Sequence, residues 1–595
     1  MTTQPTRSAS LSAPLQLPCG QELPNRIMKA ALSEGLADRN NLPDTRIERL
    51  YSRWSDGCFG LIITGNVMVD SRHLGEPGNI VLQAGEPLEG FRRWAKAAQN
   101  GGTPIWMQLN HPGRQANPFA TPDLVGPSAV ALGIPGATRP RALKDAEITD
   151  IVARFADAAR LAEEAGFDGV QIHGAHGYLI SQFLSPLSNV RTDSWGGSIE
   201  NRTRIVIEIL KAVRSAVSPG FGLGIKLNSA DFQRGGFTES DSRVVIDMVA
   251  DEAVDLIEIS GGSYESPAMM GRPVQASTRA RETHFLDYAA TVRELAGTVP
   301  LTVTGGFRTR AGALEAIESG VCDVIGIGRP SAIMPTAARE LLDGTVERLP
   351  TRTISLPVPR VIGSRLRPLE GALDLQWHTD QLHLMGDGRE PNTDRSAWRT
   401  VGTTLSRNGV DGLKVNRRNT SNNRALQKFR FERFVGRHVA NPLVAALTKA
   451  GIRTTLATEF ETTGRKTGKK RTVPVAAAFD DDGAWIISQH SRRSGWALNI
   501  DADPRVRIRQ GDRWRSGTAR FDAEDDIQAR TRSFATNPLL APLVSAGFAA
   551  LQSDAISVRI TFDSTGKSAT TTSGAEYSPR TATSGAGADP AGSRR

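Results

Sequence analysis

Three observations predict a closed (β/α)8 barrel of the TIM class followed by a small antiparallel β-barrel. Eight short β-rich apolar runs alternate with amphipathic helical stretches between about residues 25 and 330, and eight strands with crossover helices close a parallel barrel. Polar residues and glycines gather where each run stops, which is the end at which such barrels carry their chemistry. Past residue 405 the pattern changes to short strands separated by turns, as in a small antiparallel barrel.

The runs at 26–32 and 60–66 deliver Ala31, Ser33 and Gly65, and the run at 103–109 delivers Gln108, with His111 and Arg114 after it. The fourth, 168–173, opens into His173-Gly-Ala-His176-Gly-Tyr178, and the fifth, 222–228, carries Lys226. Runs at 255–260, 300–305 and 323–328 end in Ser260-Gly-Gly262, Gly305-Gly306 and Gly328-Arg329. Helical spacing is read at 145–165, 200–217, 241–252, 285–296, 310–319 and 331–342.

A lone histidine is more often a satisfied core residue, but two with a tyrosine at one strand end read as a proton-handling pocket floor. The glycines of Thr304-Gly-Gly-Phe-Arg308 and Gly326-Ile-Gly-Arg329 each precede a helix, so backbone N–H groups can face a phosphate while Arg329 adds charge. Gln108 can meet a pyrimidine edge, and Lys226 can sit beside a ring that becomes anionic on reduction. Otherwise Lys226 requires an internal carboxylate partner, because a buried unpaired ammonium is costly.

Composition narrows the classes. Three cysteines, Cys19, Cys58 and Cys322, form no CxxC pair, which argues against zinc, an iron–sulfur cluster or a disulfide framework and fits a reducing cytoplasm. The sequence carries neither a signal-like N-terminus nor eighteen consecutive apolar residues, so a soluble protein is expected. The net charge is +9, with basic residues crowded after residue 405, but aromatics do not interleave with the arginines as a nucleic-acid stacking platform requires. A homo-oligomer is compatible with the sequence and not required by it.

The segments Asn25-Arg-Ile-Met-Lys-Ala-Ala, Met107-Gln-Leu-Asn-His-Pro-Gly-Arg114, His173 to Pro186, Asn189 to Arg202, Thr304 to Arg308 and Gly328-Arg329 together resemble the old yellow enzyme family of NAD(P)H:flavin oxidoreductases over about residues 12–400. The resemblance implies non-covalent FMN, NAD(P)H as hydride donor, and reduction of activated C=C bonds, with nitro compounds and quinones as further substrates. It makes Ala31, Ser33, Gly65, Gln108, Lys226, Gly305, Gly306, Gly328 and Arg329 cofactor contacts, His173 and His176 donors to the substrate oxygen, and Tyr178 the proton donor. Lys226, His176 and Ser33 stand where the family often has arginine, asparagine, and threonine or cysteine. These departures bear on potential and substrate preference.

Residues 405–428 are polar and aperiodic and read as a linker that separates a barrel domain, 1–404, from a second domain, 429–563. In the latter, a helix is expected at 429–450, strands at 454–460, 472–479, 484–490, 505–509, 514–521 and 556–561, and helix near 525–551. Its basic loop, Thr462 to Thr472, lacks Walker spacing; its glycines and cations offer donors to a phosphate or carboxylate, while composition alone favours a solvated hairpin. Yet Thr463-Gly-Arg-Lys-Thr-Gly, Trp485 to His490 and Asn499 to Pro504 resemble the deazaflavin-dependent nitroreductase family, which implies a split β-barrel and coenzyme F420. On that resemblance Arg465, Lys466, Lys469, Lys470 and Arg471 meet the cofactor's tail, and His490, Arg493, Trp496 and Asn499 lie near its ring. Read from the residues alone, Trp496 serves equally as core and Asn499 as a turn residue. The second domain is either another reductase or a non-catalytic cofactor-binding module. The Ser/Thr/Gly-rich tail, 564–595, is expected to be disordered.

Overall fold

The computed structural model describes residues 10–117, 121, 123–133, 137–260, 277–352, 354, 360–405, 407, 458–488, 492, 494–534 and 555–563. The expected helix at 429–450, most of the linker and the tail lie outside them. The chain divides into two compact units, 1–434 and 435–595.

In the first unit, strands β1 (Ile27–Lys29), β2 (Leu61–Ile63), β3 (Ile105–Asn110), β4 (Gly169–Gly174), β5 (Gly222–Asn228), β6 (Leu256–Ser260), β7 (Leu301–Thr304) and β8 (Val324–Ile327) pair in parallel, and β8 pairs with β1 to close the ring. One bulky residue sets the barrel floor. The Trp106 indole fills it so closely that a Cβ on Gly169, Gly222 or Gly224 would stand 2.6, 2.2 or 2.9 Å from the ring. Met28, Leu61, Leu256 and Val324 complete this apolar plug. Side chains alternate along a strand, so the next inward layer of β3 and β4 holds Gln108 and Gln171.

Helices pack outside the ring. Two of them, α1 (Thr45–Ser55) and α2 (Glu89–Gln99), were not expected from the sequence. The helix expected at 331–342 is broken into Pro330–Ile333 and Ala337–Asp343. Pro335 is the cause, because the residue before a proline leaves the helical region, and Met334 has φ −127° and ψ 89°. A larger departure is α3 (Arg360–Gly386), a 27-residue helix within 350–400, a stretch whose prolines, arginines and isolated apolar residues read as an extension folded against the barrel; Gly363 and Pro368 interrupt its pattern. It lies against α1 through Arg46, which is 3.3 Å from His383 Nδ1 and 2.8 Å from Asp387 just past the helix end, while His383 Nε2 lies 3.0 Å from Glu34 O in the segment after β1. Arg407, which composition assigns to the linker, donates to buried Asp380 at 2.5 Å.

The second unit is a seven-stranded antiparallel sheet of β9 (Thr458–Thr463), β10 (Lys470–Val475), β11 (Ala477–Phe479), β12 (Gly483–Ser488), β13 (Arg505–Gln510), β14 (Arg513–Asp522) and β15 (Ile556–Phe562). Its spatial order is β10-β9-β13-β14-β15-β12-β11. The two edge strands, β10 and β11, are separated in the chain by Ala476 alone, so the sheet curls until its edges nearly meet. The single run expected at 472–479 is therefore two strands at opposite edges. Phe460, Ile486, Ile508, Val558 and Ile560 fill the interior. No helix among the described residues is long and apolar enough to cross a membrane.

Candidate active site

The end of β4 sets the chemistry. His173 Nδ1 accepts from the Ala175 N–H at 3.3 Å, which leaves the proton of the neutral ring on Nε2. His176 is held at φ +61°, a conformation that costs a non-glycine residue about 1–2 kcal/mol. Its N–H donates to Asn228 Oδ1 at 3.2 Å and its Nε2 lies 2.9 Å from Ser260 Oγ, the last residue of β6. The His173 ring meets those of His176 and Tyr178 edge to face at 5.0 and 4.9 Å. Asn66 Nδ2 donates to the Tyr178 hydroxyl at 3.4 Å. Burial, followed by the neighbouring positive charge of Lys226, pushes the His176 imidazole well below 6.5; burial, His176 and Lys226 do the same to His173. Both rings are thus neutral donors at physiological pH.

Beneath them runs a buried polar layer. Gln108 Nε2 donates to Gln171 Oε1 at 2.7 Å, Gln171 Nε2 to Glu258 Oε2 at 2.7 Å, and Lys226 Nζ lies 2.8 Å from Glu258 Oε1. Lys226 therefore has the internal carboxylate that its burial demands. Gln171 and Glu258 escaped the sequence reading, although a glutamate inside the run Asp255 to Ser260 and a glutamine inside Gly169 to His173 were signals for them.

Other expected contacts are committed within the protein. The Gly65 N–H donates to Glu34 Oε1 at 2.8 Å, and a Cβ there would stand 2.3 Å from Leu32 O. Ser33 Oγ donates to Glu76 Oε1. Ala31 packs against the floor cluster. Gly305 and Gly306 adopt φ +127° and +95°, beyond the reach of ordinary side chains, in the turn after β7. After β8, Gly328 is followed by Arg329, which donates to Asp374 Oδ2 on α3 at 2.9 Å. Lys29, not singled out by the sequence, is fully buried, donates to Ile63 O at 2.9 Å and lies 4.0 Å above the Trp54 ring; burial, partly offset by Glu34, lowers its pKa to about 8.

Residues 10–344 match the profile of the NADH:flavin oxidoreductase / NADH oxidase family. The chain belongs to that family. It is 40% identical over 357 residues to the NADH-dependent flavin oxidoreductase iliE of Hypocrea jecorina, covering 56% of this chain and 88% of that one. It is 35% identical to the NADH-dependent flavin oxidoreductase iccE of Talaromyces variabilis, covering 63% and 98%. A solved 2-naphthoyl-CoA reductase in complex with 2-naphthoyl-CoA aligns with a TM-score of 0.53 and 28% identity, over 56% of this chain and about half, 52%, of that one. Members of the flavin oxidoreductase family are enzymes, and so is this chain.

One further cluster in this flavin oxidoreductase barrel has ligand-type side chains: Asp70, His73 and His111, all buried. Burial raises the Asp70 pKa, but hydrogen bonds from Arg72 outweigh it and hold it at about 2. His111 Nδ1 accepts from the Gly113 N–H at 3.1 Å, so its Nε2 carries the proton rather than a free lone pair. The trio is better suited to an ion pair beside two neutral imidazoles than to a cation.

In the second unit, the loop from Gly464 to Lys469 turns β9 into β10, and Arg465, Lys466, Lys469, Lys470 and Arg471 are exposed along it, Lys470 against Glu461 at 3.1 Å. Asn499 is buried; its Oδ1 accepts from the Arg465 N–H at 3.2 Å and its Nδ2 donates to Thr462 Oγ1 at 3.1 Å. It braces the loop and is not a turn residue. Trp496 packs edge to face on Phe460 with centroids 5.4 Å apart. His490 and Arg493 lie outside the described residues. Residues 437–545 match the profile of the quinone reductase family that depends on reduced coenzyme F420, which fits the resemblance read from the basic loop.

Proposed function

We propose that the barrel holds FMN non-covalently above its strand ends and reduces activated C=C bonds of α,β-unsaturated carbonyls, with quinones and nitro compounds as further substrates. The observation that carries this is the edge-to-face packing of two neutral imidazoles and a tyrosine against a buried polar layer. Gln108 and Lys226 belong to that layer and are joined through Gln171 and Glu258. The fit to a flavin has support: Asn110 Oδ1 and Nδ2, on the same face of β3 as Gln108, are buried without protein partners, as are Thr302 and Thr304 Oγ1. The positive-φ Gly305-Gly306 turn would offer backbone N–H groups to the phosphate, which Gly328 and Arg329 would help to hold once Asp374 shares the guanidinium. Ala31, Ser33 and Gly65 would line the pyrimidine side.

Bound there, FMN would carry hydride from NAD(P)H to the β-carbon of the alkene; the curated relatives favour NADH. The residues do the rest. His173 Nε2–H and the His176 ring bind the carbonyl or nitro oxygen, and these bonds strengthen as charge develops on it, so they lower the barrier rather than merely tighten binding. The Tyr178 hydroxyl gives its proton to the α-carbon, and a phenol suits this because it remains protonated at neutral pH. Burial around β4 keeps water from competing for that proton.

The second domain, about 429–563, is proposed to bind F420 with Arg465, Lys466, Lys469, Lys470 and Arg471 on its anionic tail and His490, Arg493 and Trp496 toward its ring. Asn499 then acts by bracing the loop. Three free cysteines suit a reducing cytoplasm.

The test is to release and identify the cofactors of the purified full-length protein and then follow NADH-driven reduction of a cyclic enone. FMN with enone reduction is expected, and F420 binding on titration. A protein that neither carries nor takes up a flavin sinks the reading for the barrel; failure to bind F420 sinks it for the second unit alone.

A further inference from the structure

Glu258 joins the inward-facing side chains of four neighbouring strands. Its Oε1 lies 2.8 Å from Lys226 Nζ on β5, and its Oε2 accepts from Gln171 on β4, which in turn accepts from Gln108 on β3. All four side chains lie in residues no more than 3% exposed. Below them is the Trp106 plug. Beside Lys226, at the same level of the barrel, stands its register partner His173.

Resting on the reading that FMN binds above this layer, we infer that Glu258 is a positioning residue that sets the charge presented to the flavin ring. An isolated buried ammonium would place a full positive charge beneath a ring that gains negative charge on reduction, and in a low-dielectric interior that charge acts strongly. Glu258 turns the lysine into one end of a short dipole and moderates how far the reduced form is favoured. Through Gln171 the same carboxylate takes up one amide hydrogen of Gln108. Gln108 Oε1 then remains as the acceptor for a ring N–H. Glu258 need not touch the cofactor to do either.

The experiment measures the midpoint potential of the flavin in the full-length holoprotein against reference dyes. Glu258→Gln leaves Lys226 uncompensated and is expected to shift the equilibrium at least tenfold toward the reduced form, about 30 mV positive for a two-electron couple. Lys226→Gln is expected to shift it at least tenfold the other way. The double variant K226Q/E258Q removes both ends of the dipole and is expected to return to within about threefold of the unmodified protein.

Should E258Q fail to fold, the double variant decides. A near-native potential supports the dipole; a potential as low as that of Lys226→Gln means that the lysine acts as an isolated cation, which overturns the inference. A folded, flavin-bearing E258Q with an unshifted potential overturns it too. The FMN reading fails differently, on the unmodified chain, by absence of flavin before and after reconstitution.

Discussion

His176 Nε2 lies 2.9 Å from Ser260 Oγ, so an imidazole on the loop after β4 takes its orientation from the end of β6, 84 residues away in the chain. With that nitrogen engaged by a hydroxyl, the other nitrogen is the one available to a substrate oxygen. Backbone strain at His176 is a second sign of positioning, since φ +61° persists only where the surroundings impose it.

Ser260→Ala should therefore lower kcat/KM for enones by about tenfold, the equivalent of one hydrogen bond, while Ser260→Thr retains most of it. Steady-state kinetics on the two variants is the check. Equal losses in both would mean that the hydroxyl plays no part in orienting His176.

Tyr178→Phe should slow enone turnover by about 10²–10⁴-fold, the usual worth of a positioned general acid, and leave reduction of the protein by NADH nearly intact. Stopped-flow measurement of the two half-reactions separates these. Loss of both together would count against Tyr178 as proton donor.

Stability should fall on acidification. Burial is the leading cause that lowers the pKa of His73, His111, His173, His176, His378 and His383, the last to about 3. Below 6.5 the unfolded chain binds protons that the folded chain refuses, so the stabilisation is complete above 6.5 and is lost as pH falls toward the folded values. Asp70, held at about 2 against an ordinary 3.8, adds a further loss in that lower window. Thermal melts from about pH 7.5 down to about pH 5.5 should show a falling Tm, and His383→Gln should flatten the slope.

Gly222→Ala should destabilise the barrel by about 1–3 kcal/mol through overpacking, because its Cβ would stand 2.2 Å from Trp106 Cζ2. Trp106→Phe in the same chain should recover part of the loss. Urea unfolding of the single and double variants tests this, and strict additivity would show that the two residues do not compete for one space.

Replacing Arg465, Lys466, Lys469 and Arg471 with glutamine should leave the second unit folded, since exposed substitutions change stability little, yet weaken F420 binding and its salt dependence. Asn499→Ala should instead destabilise the unit by about 1–3 kcal/mol by leaving buried groups near Thr462 unpaired. Binding titrations at low and high salt, alongside thermal melts, distinguish loop charge from loop bracing.

Much of this was readable from local pattern. The runs ending at Leu109, His173, Asn228 and Ser260 announced barrel strands because apolar runs and the polar residues at or just past their ends are properties of a few adjacent positions. So did the Gly305-Gly306 and Gly328-Arg329 turns. By contrast, α3 was hidden because Gly363 and Pro368 break a pattern that packing of Trp377, Leu382 and Met385 restores. Arg407 read as linker because nothing near it in the chain shows that Asp380 holds it.

The sequence by itself determined the two folds, the family of the first and the cluster His173, His176 and Tyr178. Only the tertiary structure decided that Lys226 answers to Glu258, His176 to Ser260, Arg329 to Asp374 and Gly222 to Trp106. Periodicity is carried by near neighbours, whereas each of these pairs depends on ring closure and strand register, which bring together side chains that the chain itself keeps far apart.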